Sequence, residues 1–138
     1  MLKQLEERLQ QKSIRPTAMR LLVLEFLDNR DSAISLTDLE NGFERSDRIT
    51  LYRTLKTFEE KGLVHSIDDG SGAPKYALCQ DDCVSSYHRD LHVHFYCHSC
   101  RQTYCLPSYK IPDLRLPPGY IADEASLLVK GQCERCRA

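Results

Sequence analysis

The first 64 residues of this 138-residue chain contain neither cysteine nor histidine. That absence removes thiolate and imidazole, the best zinc-holding side chains and the commonest base, from nearly half the molecule. A long apolar run is also missing. The longest uninterrupted aliphatic stretch is Leu21–Leu24, far short of the ~20 residues a membrane span needs. The opening segment MLKQLEERLQQK carries both charge signs and does not read as a signal peptide, so a cytoplasmic protein with no membrane partner is expected. Nor is there an excess of charge of one sign. The net charge is −1, with 12 basic and 13 acidic residues in 1–78 and 7 of each in 79–138. Composition alone therefore does not predict nucleic-acid binding, and any such reading has to rest on where the charges sit. No G-x-S-x-G, phosphate loop or other catalytic constellation appears, so no enzyme activity is expected.

What is present is concentrated in the back half, where all seven cysteines and five histidines fall in residues 65–138. In a reducing compartment, an odd number of cysteines reads as metal ligands or free thiols rather than disulfides. Cys97–Cys100 and Cys133–Cys136 form two C-x-x-C pairs. Two intervening residues let both sulfurs reach one ion, and two such pairs complete a closed tetrahedral thiolate shell. One structural zinc per chain is therefore expected, tying the tail back onto a small sheet. A thiol oxidoreductase is the competing reading, but Cys97–Cys100 sits in a polar stretch rather than opening a helix after a strand. His92 and His94 are two apart, so on a strand they would face one side and share an ion. His65 and Cys79 flank a hairpin that would bring them together. His88 and His98, taken singly, read as surface histidines.

In the front half, helices are expected over 2–12, 18–29 (capped by Thr17), from a Ser35/Asp38 capping box to about Arg45, and over 48–61 behind Ser46 or Asp47. Leu21, Leu22, Leu24 and Phe26 are expected to form the buried face of the second. Gly62 ends the fourth, and strands follow over 63–67 and 75–78 around the loop DDGSGAP. The last three of these helices and a two-stranded hairpin make a winged helix-turn-helix layout. In the last helix Leu51, Leu55 and Phe58 mark the core stripe, while Arg48, Tyr52 and Lys56 lie on the flank and Arg53 points farther out. An exposed aromatic among cations suits thymine methyls, guanine edges and phosphates; a solvated helix face is the plainer alternative.

Arg15-Pro-Thr-Ala-Met-Arg20, Thr50-Leu-Tyr-Arg-Thr-Leu55, Lys61-Gly-Leu-Val64, the H-x-H-x-x-C-x-x-C of 92–100 and the G-x-C-x-x-C of 131–136 occur in that order. Together they resemble the ferric uptake regulator family of metal-sensing repressors, and the zinc uptake regulator branch most. The resemblance implies an α+β chain: a winged-helix DNA-binding domain over 1–78, a hinge at 79–84, and an α/β dimerisation domain with structural zinc over 85–138. It implies a homodimer on double-stranded operator DNA, with Arg15, Arg48, Thr50, Tyr52, Arg53 and Lys56 toward the DNA. Cys97, Cys100, Cys133 and Cys136 would hold the structural ion. His65, Cys79, His92 and His94 would hold a second, regulatory ion, expected to be zinc because a Cys/His site disfavours harder metals. Cys105 stands where the family usually has an acidic ligand, and Cys83 and His88 are close enough in sequence to compete. Arg101 replaces a glycine that often follows the first C-x-x-C. An iron- or peroxide-sensing repressor of the same architecture is the nearest alternative. A zinc-stabilised interaction module without a DNA role is another.

Overall fold

In the computed structural model the described residues are 2–43, 47–78, 92–110, 112, 115–122 and 127–137, with the side chains of His92 and of 107–110 outside that set. The expected hinge at 79–84, Ser46 and the end of the third helix near Arg45 therefore lie outside the described residues. The fold is α+β. Helix α1 (Leu2–Gln11) buries Leu5 and Leu9, one turn apart. Helix α2 (Ala18–Asp28) starts at Thr17, whose hydroxyl accepts from the Arg20 amide. Its inner face differs from the expected one. Val23, Leu24 and Leu27 are buried, whereas Leu22 is 48% exposed and Leu21 and Phe26 are half-buried. With apolar residues at nearly every position of 21–27, count alone cannot fix the phase of the stripe, and packing against the other helices sets it.

Strand β1 (Ile34–Ser35) leads into helix α3 (Leu36–Asn41) through the expected capping box, in which Ser35 and Asp38 satisfy each other's backbone amides. The helix stops at Gly42, short of the expected end. A Cβ at Gly42 would lie 2.3 Å from Cε2 of Phe26, so only glycine lets that ring approach. Helix α4 (Arg48–Glu60) is capped by Asp47 and buries Leu51, Thr54, Leu55 and Phe58. Strands β2 (Val64–Ile67) and β3 (Lys75–Leu78) pair antiparallel, and β1 joins them in the order β1-β3-β2. The wing is thus three-stranded rather than two-stranded; a two-residue strand is too short to show alternation in sequence.

The second sheet contains β4 (His92–Cys97), β5 (Thr103–Lys110) and β6 (Leu127–Gly131) in the order β5-β4-β6, followed by the single turn α5 (Glu134–Arg137). β4 runs antiparallel to β5 and parallel to β6. The main apolar cluster, from Leu5 to Tyr76, belongs wholly to the helices and the wing; among the described residues the second sheet contributes nothing to it. A sheet this small and this poor in apolar burial needs another source of stability. No helix among the described residues is long and apolar enough to cross a membrane.

Candidate metal centres and helix surface

The turn after β4 carries Cys97 and Cys100, and the exit from β6 carries Cys133 and Cys136. Because β4 and β6 are parallel neighbours with Cys97 opposite Gly131, both turns emerge at the same end of the sheet. All four sulfurs lie within 4.8 Å of one another. Cys100 Sγ and Cys133 Sγ are 3.9 Å apart, close to the ~3.8 Å edge of a tetrahedron with zinc–sulfur bonds of ~2.3 Å. Cys97 is fully buried, and its sulfur accepts the backbone amides of Cys100 at 3.5 Å and Cys133 at 3.4 Å. Those amides pull its thiol down to about 5, while hydrogen bonding to the neighbouring sulfurs of Cys133 and Cys97 pushes Cys136 up to about 12. One thiolate is stabilised by the backbone; four together call for a cation. The donor set fits zinc.

A second group forms where the wing meets the second sheet. His94 and Cys105 are direct cross-strand partners on β4 and β5, which places them on one face. His65 comes from β2 and meets that face, its ring centroid 5.4 Å from that of His94. One ligand atom from each of His65, His94 and Cys105 lies within 4.8 Å of the others. Both imidazoles are buried, at 3% and 2% exposure. Of the sequence-predicted regulatory residues, the structure brings together His65 and His94 and adds Cys105. Cys79, Cys83 and His88 lie outside the described residues. His92 is on β4, but a register irregularity separates it from Val93, and its side chain lies outside the described set. His98 is exposed, as a surface histidine should be.

Sequence reasoning missed the polar cluster beside this group. Asp69, 1% exposed, accepts from Lys75 Nζ at 2.8 Å and from Thr103 Oγ1 at 2.6 Å, and its other oxygen accepts the Ser71 amide at 2.9 Å. Burial alone would raise its carboxyl, but the bonds from Lys75, Ser71 and Thr103 outweigh that and hold it well below the ordinary carboxylate range. A carboxylate in a DDGSG loop carries no sequence mark of burial.

On α4, Tyr52 is 43% exposed and Arg53 and Thr50 are also exposed. Arg53 and Thr50 line a groove with Arg15 and Arg20, which brings cations from two segments to one wall. Arg48 is engaged elsewhere: it pairs with Glu40 of α3 at 3.1 Å and so pins α4 to α3. Lys56 pairs with Glu59 at 3.2 Å and lies 5.6 Å over the Tyr52 ring. These exposed pairs are weak and open to replacement by a phosphate. Ile49, 59% exposed, and Arg20 were not anticipated. Ile49 was legible, since 49, 52, 53 and 56 form the face opposite the core stripe.

The sequence profile of the ferric uptake regulator family matches residues 11–115. The chain is 25% identical to the peroxide operon regulator of Bacillus subtilis, over 98% of this chain and 92% of that one. It is 28% identical to the zinc uptake regulation protein of Mycobacterium tuberculosis, over 92% and 95%. A zinc uptake regulator solved with zinc and DNA superposes with a TM-score of 0.64 at 23% identity, covering 99% of this chain and 92% of that one. A profile match of this length, on a winged helix joined to a small sheet, makes the chain a member of the ferric uptake regulator family.

Proposed function

We propose that this protein is a zinc-responsive transcriptional repressor, acting in the cytoplasm as a homodimer on operator DNA and controlling metal-uptake genes. The observation that carries the reading is the convergence of His65 from the wing with His94 and Cys105 from the second sheet. We assign residues 1–78 to DNA binding and 85–138 to dimerisation. Cys97, Cys100, Cys133 and Cys136 hold the structural zinc. His65, His94 and Cys105 hold the regulatory ion, with a fourth donor from Cys79 or His92. Nitrogen and sulfur donors favour zinc over harder ions, which sets this reading above an iron-sensing one. When bound, the ion supplies a cross-link between wing and sheet.

His65 and the recognition helix α4 are fixed in one packed unit, since Leu51, Leu55, Phe58 and Val64 share a core. Holding His65 against His94 therefore holds α4 against the second sheet. In a two-fold dimer that sets the separation of two recognition helices, and hence the half-site spacing they read. Metal occupancy favours the arrangement that binds DNA, and by linkage operator DNA tightens metal binding by the same factor. On this reading Tyr52 and Ile49 meet thymine methyls, and Arg53, Arg15 and Arg20 meet phosphates and guanine edges; the exposure of the first two and the groove lined by the three arginines support it. The family is one of regulators, and no enzymatic role is assigned.

The test is a shift assay on genomic fragments with and without zinc, using wild type and the double variant Tyr52→Ala/Arg53→Ala. Wild type is expected to bind selected fragments only with zinc, and less tightly as salt rises. The double variant should lose that binding with unchanged zinc content and dimerisation. Operator binding by the variant, or zinc-independent binding by wild type, would refute the reading.

A further inference from the structure

We propose that Asp69 is a positioning residue: through Thr103 it docks the wing onto the second sheet without any metal, and so presets the angle to which the His65–His94–Cys105 centre responds. The inference rests on the regulatory reading above for its consequence, but not for the docking itself. One ion shared between two bodies fixes a point and leaves rotation about it. A second point of contact is needed to fix an angle. Asp69 lies four residues beyond His65 along the wing, and Thr103 lies two residues before Cys105 on the same strand and so on the same face. The two contacts are therefore side by side, one built from metal donors and one from a carboxylate and a hydroxyl.

The second contact is well built. Thr103 is fully buried, and its hydroxyl donates to Asp69 Oδ2 at 2.6 Å. Lys75 neutralises the same oxygen at 2.8 Å and also donates to Ser71 Oγ at 3.2 Å, so the charge is balanced inside the wing. The Thr103 backbone is held too, accepting the Ala33 amide at 2.7 Å in an isolated antiparallel bridge. Beyond Asp69, Gly70 has φ +80, and a Cβ there would lie 2.8 Å from Lys130 Nζ of β6. The wing loop thus meets two strands of the second sheet. Because the Lys75–Asp69 pair stays satisfied when the junction opens, the share of docking that Asp69 supplies is about one hydrogen bond to a charged group. That is enough to bias an angle and too little to lock it.

The experiment uses the full-length dimer carrying Thr103→Val, which removes the hydroxyl at nearly constant shape, and Thr103→Ser, which restores it. The DNA probe is a duplex selected from genomic fragments by wild type with zinc. With buffered free zinc, Thr103→Val is expected to need about tenfold more zinc for half-maximal binding, at the same plateau, and Thr103→Ser to return toward wild type. Hydrogen exchange at the Ala33 amide, across the junction, should speed up in Thr103→Val at every zinc concentration. A wild-type midpoint, or a lowered plateau without a midpoint shift, would overturn the inference. Should Thr103→Val fail to fold, Asp69→Asn is expected to move the midpoint in the same direction, and an unmoved midpoint there overturns it equally. Should wild type itself ignore zinc, the regulatory reading falls, and docking is then decided by Ala33 exchange alone: faster exchange upholds it and unchanged exchange overturns it.

Discussion

The thiolate cluster takes all its donors from the end of one sheet, whereas the histidine cluster takes His65 from the wing and His94 and Cys105 from the sheet. The first is local, and among the described residues it lies where no apolar core cluster is found. The second sits between two bodies, one of which already has a core. On the proposed reading, removing an ion from the first would remove what holds a sheet, and removing one from the second would release an angle. The same element would then serve folding or switching according to which parts of the chain its donors connect.

The largest expected effect follows from that difference. Cys97→Ser or Cys133→Ser should lose the structural zinc and unfold the second sheet, because binding energy of ~10 kcal/mol or more at such sites is folding energy. Metal analysis and dimerisation measured alongside circular dichroism would show it. A variant that kept a folded, dimeric sheet without zinc would break the comparison at its first term.

Next come His94→Ala and Cys105→Ser. Each should lower metal content from two ions per chain to one, leave the thermal transition of the sheet nearly unchanged, and weaken zinc-dependent operator binding by about a hundredfold or more, since loss of even a hydrogen-bonding partner of a ligand costs about 10–100-fold. If Cys105→Ser unfolded the sheet as Cys97→Ser does, the two clusters would not be distinct in kind.

Much of this was legible in the sequence, and unevenly so. The thiolate cluster could be read because C-x-x-C is a local pattern: Cys97 and Cys100 meet through their own turn, and only the joining of two pairs needed the fold. The caps at Thr17, Ser35 and Asp47 were equally local. The histidine cluster was read in part. His65 and His94 carry no local pattern that joins them, and their rings meet only where the wing touches the second sheet, a fact of tertiary structure. Cys105 reads from sequence as a fifth donor or a substitute for one of four, and only the fold shows it opposite His94. Spacing along β4 pairs His92 with His94, whereas the cross-strand pairing with Cys105 is invisible to spacing. Asp69 illustrates the limit best, since its burial depends on Thr103, 34 residues away.

A smaller effect should sharpen the account of the thiolate cluster. Arg101 closes the first C-x-x-C turn with φ +61, a left-handed conformation that a side chain disfavours. Its amide donates to the Cys97 carbonyl at 2.7 Å, so the turn cannot relax without shifting Cys97. Arg101→Gly is expected to stabilise the sheet by about 1 kcal/mol, seen as a higher thermal midpoint with unchanged zinc stoichiometry. Unchanged operator response in the same variant would keep the effect on the folding side of the comparison.

The smallest expected effect probes whether the two clusters are as separate as their donors imply. Arg135 lies between Cys133 and Cys136, yet it reaches across the junction to Asp31 at 2.7 Å. Its hydrogen bond holds the Asp31 carboxyl below the ordinary range, so a contact joins the thiolate turn to the front half. Both side chains are about two-thirds exposed, however, at 68% and 66%. A pair so hydrated and screened contributes little, and holding two long side chains in register offsets what it gains. Arg135→Ala should therefore leave the thermal midpoint, the zinc stoichiometry and the zinc midpoint for operator binding within error of wild type. A clear shift in that last quantity would mean that the structural ion also steers the wing, because the only change would be one tether running from the thiolate turn to the loop before β1.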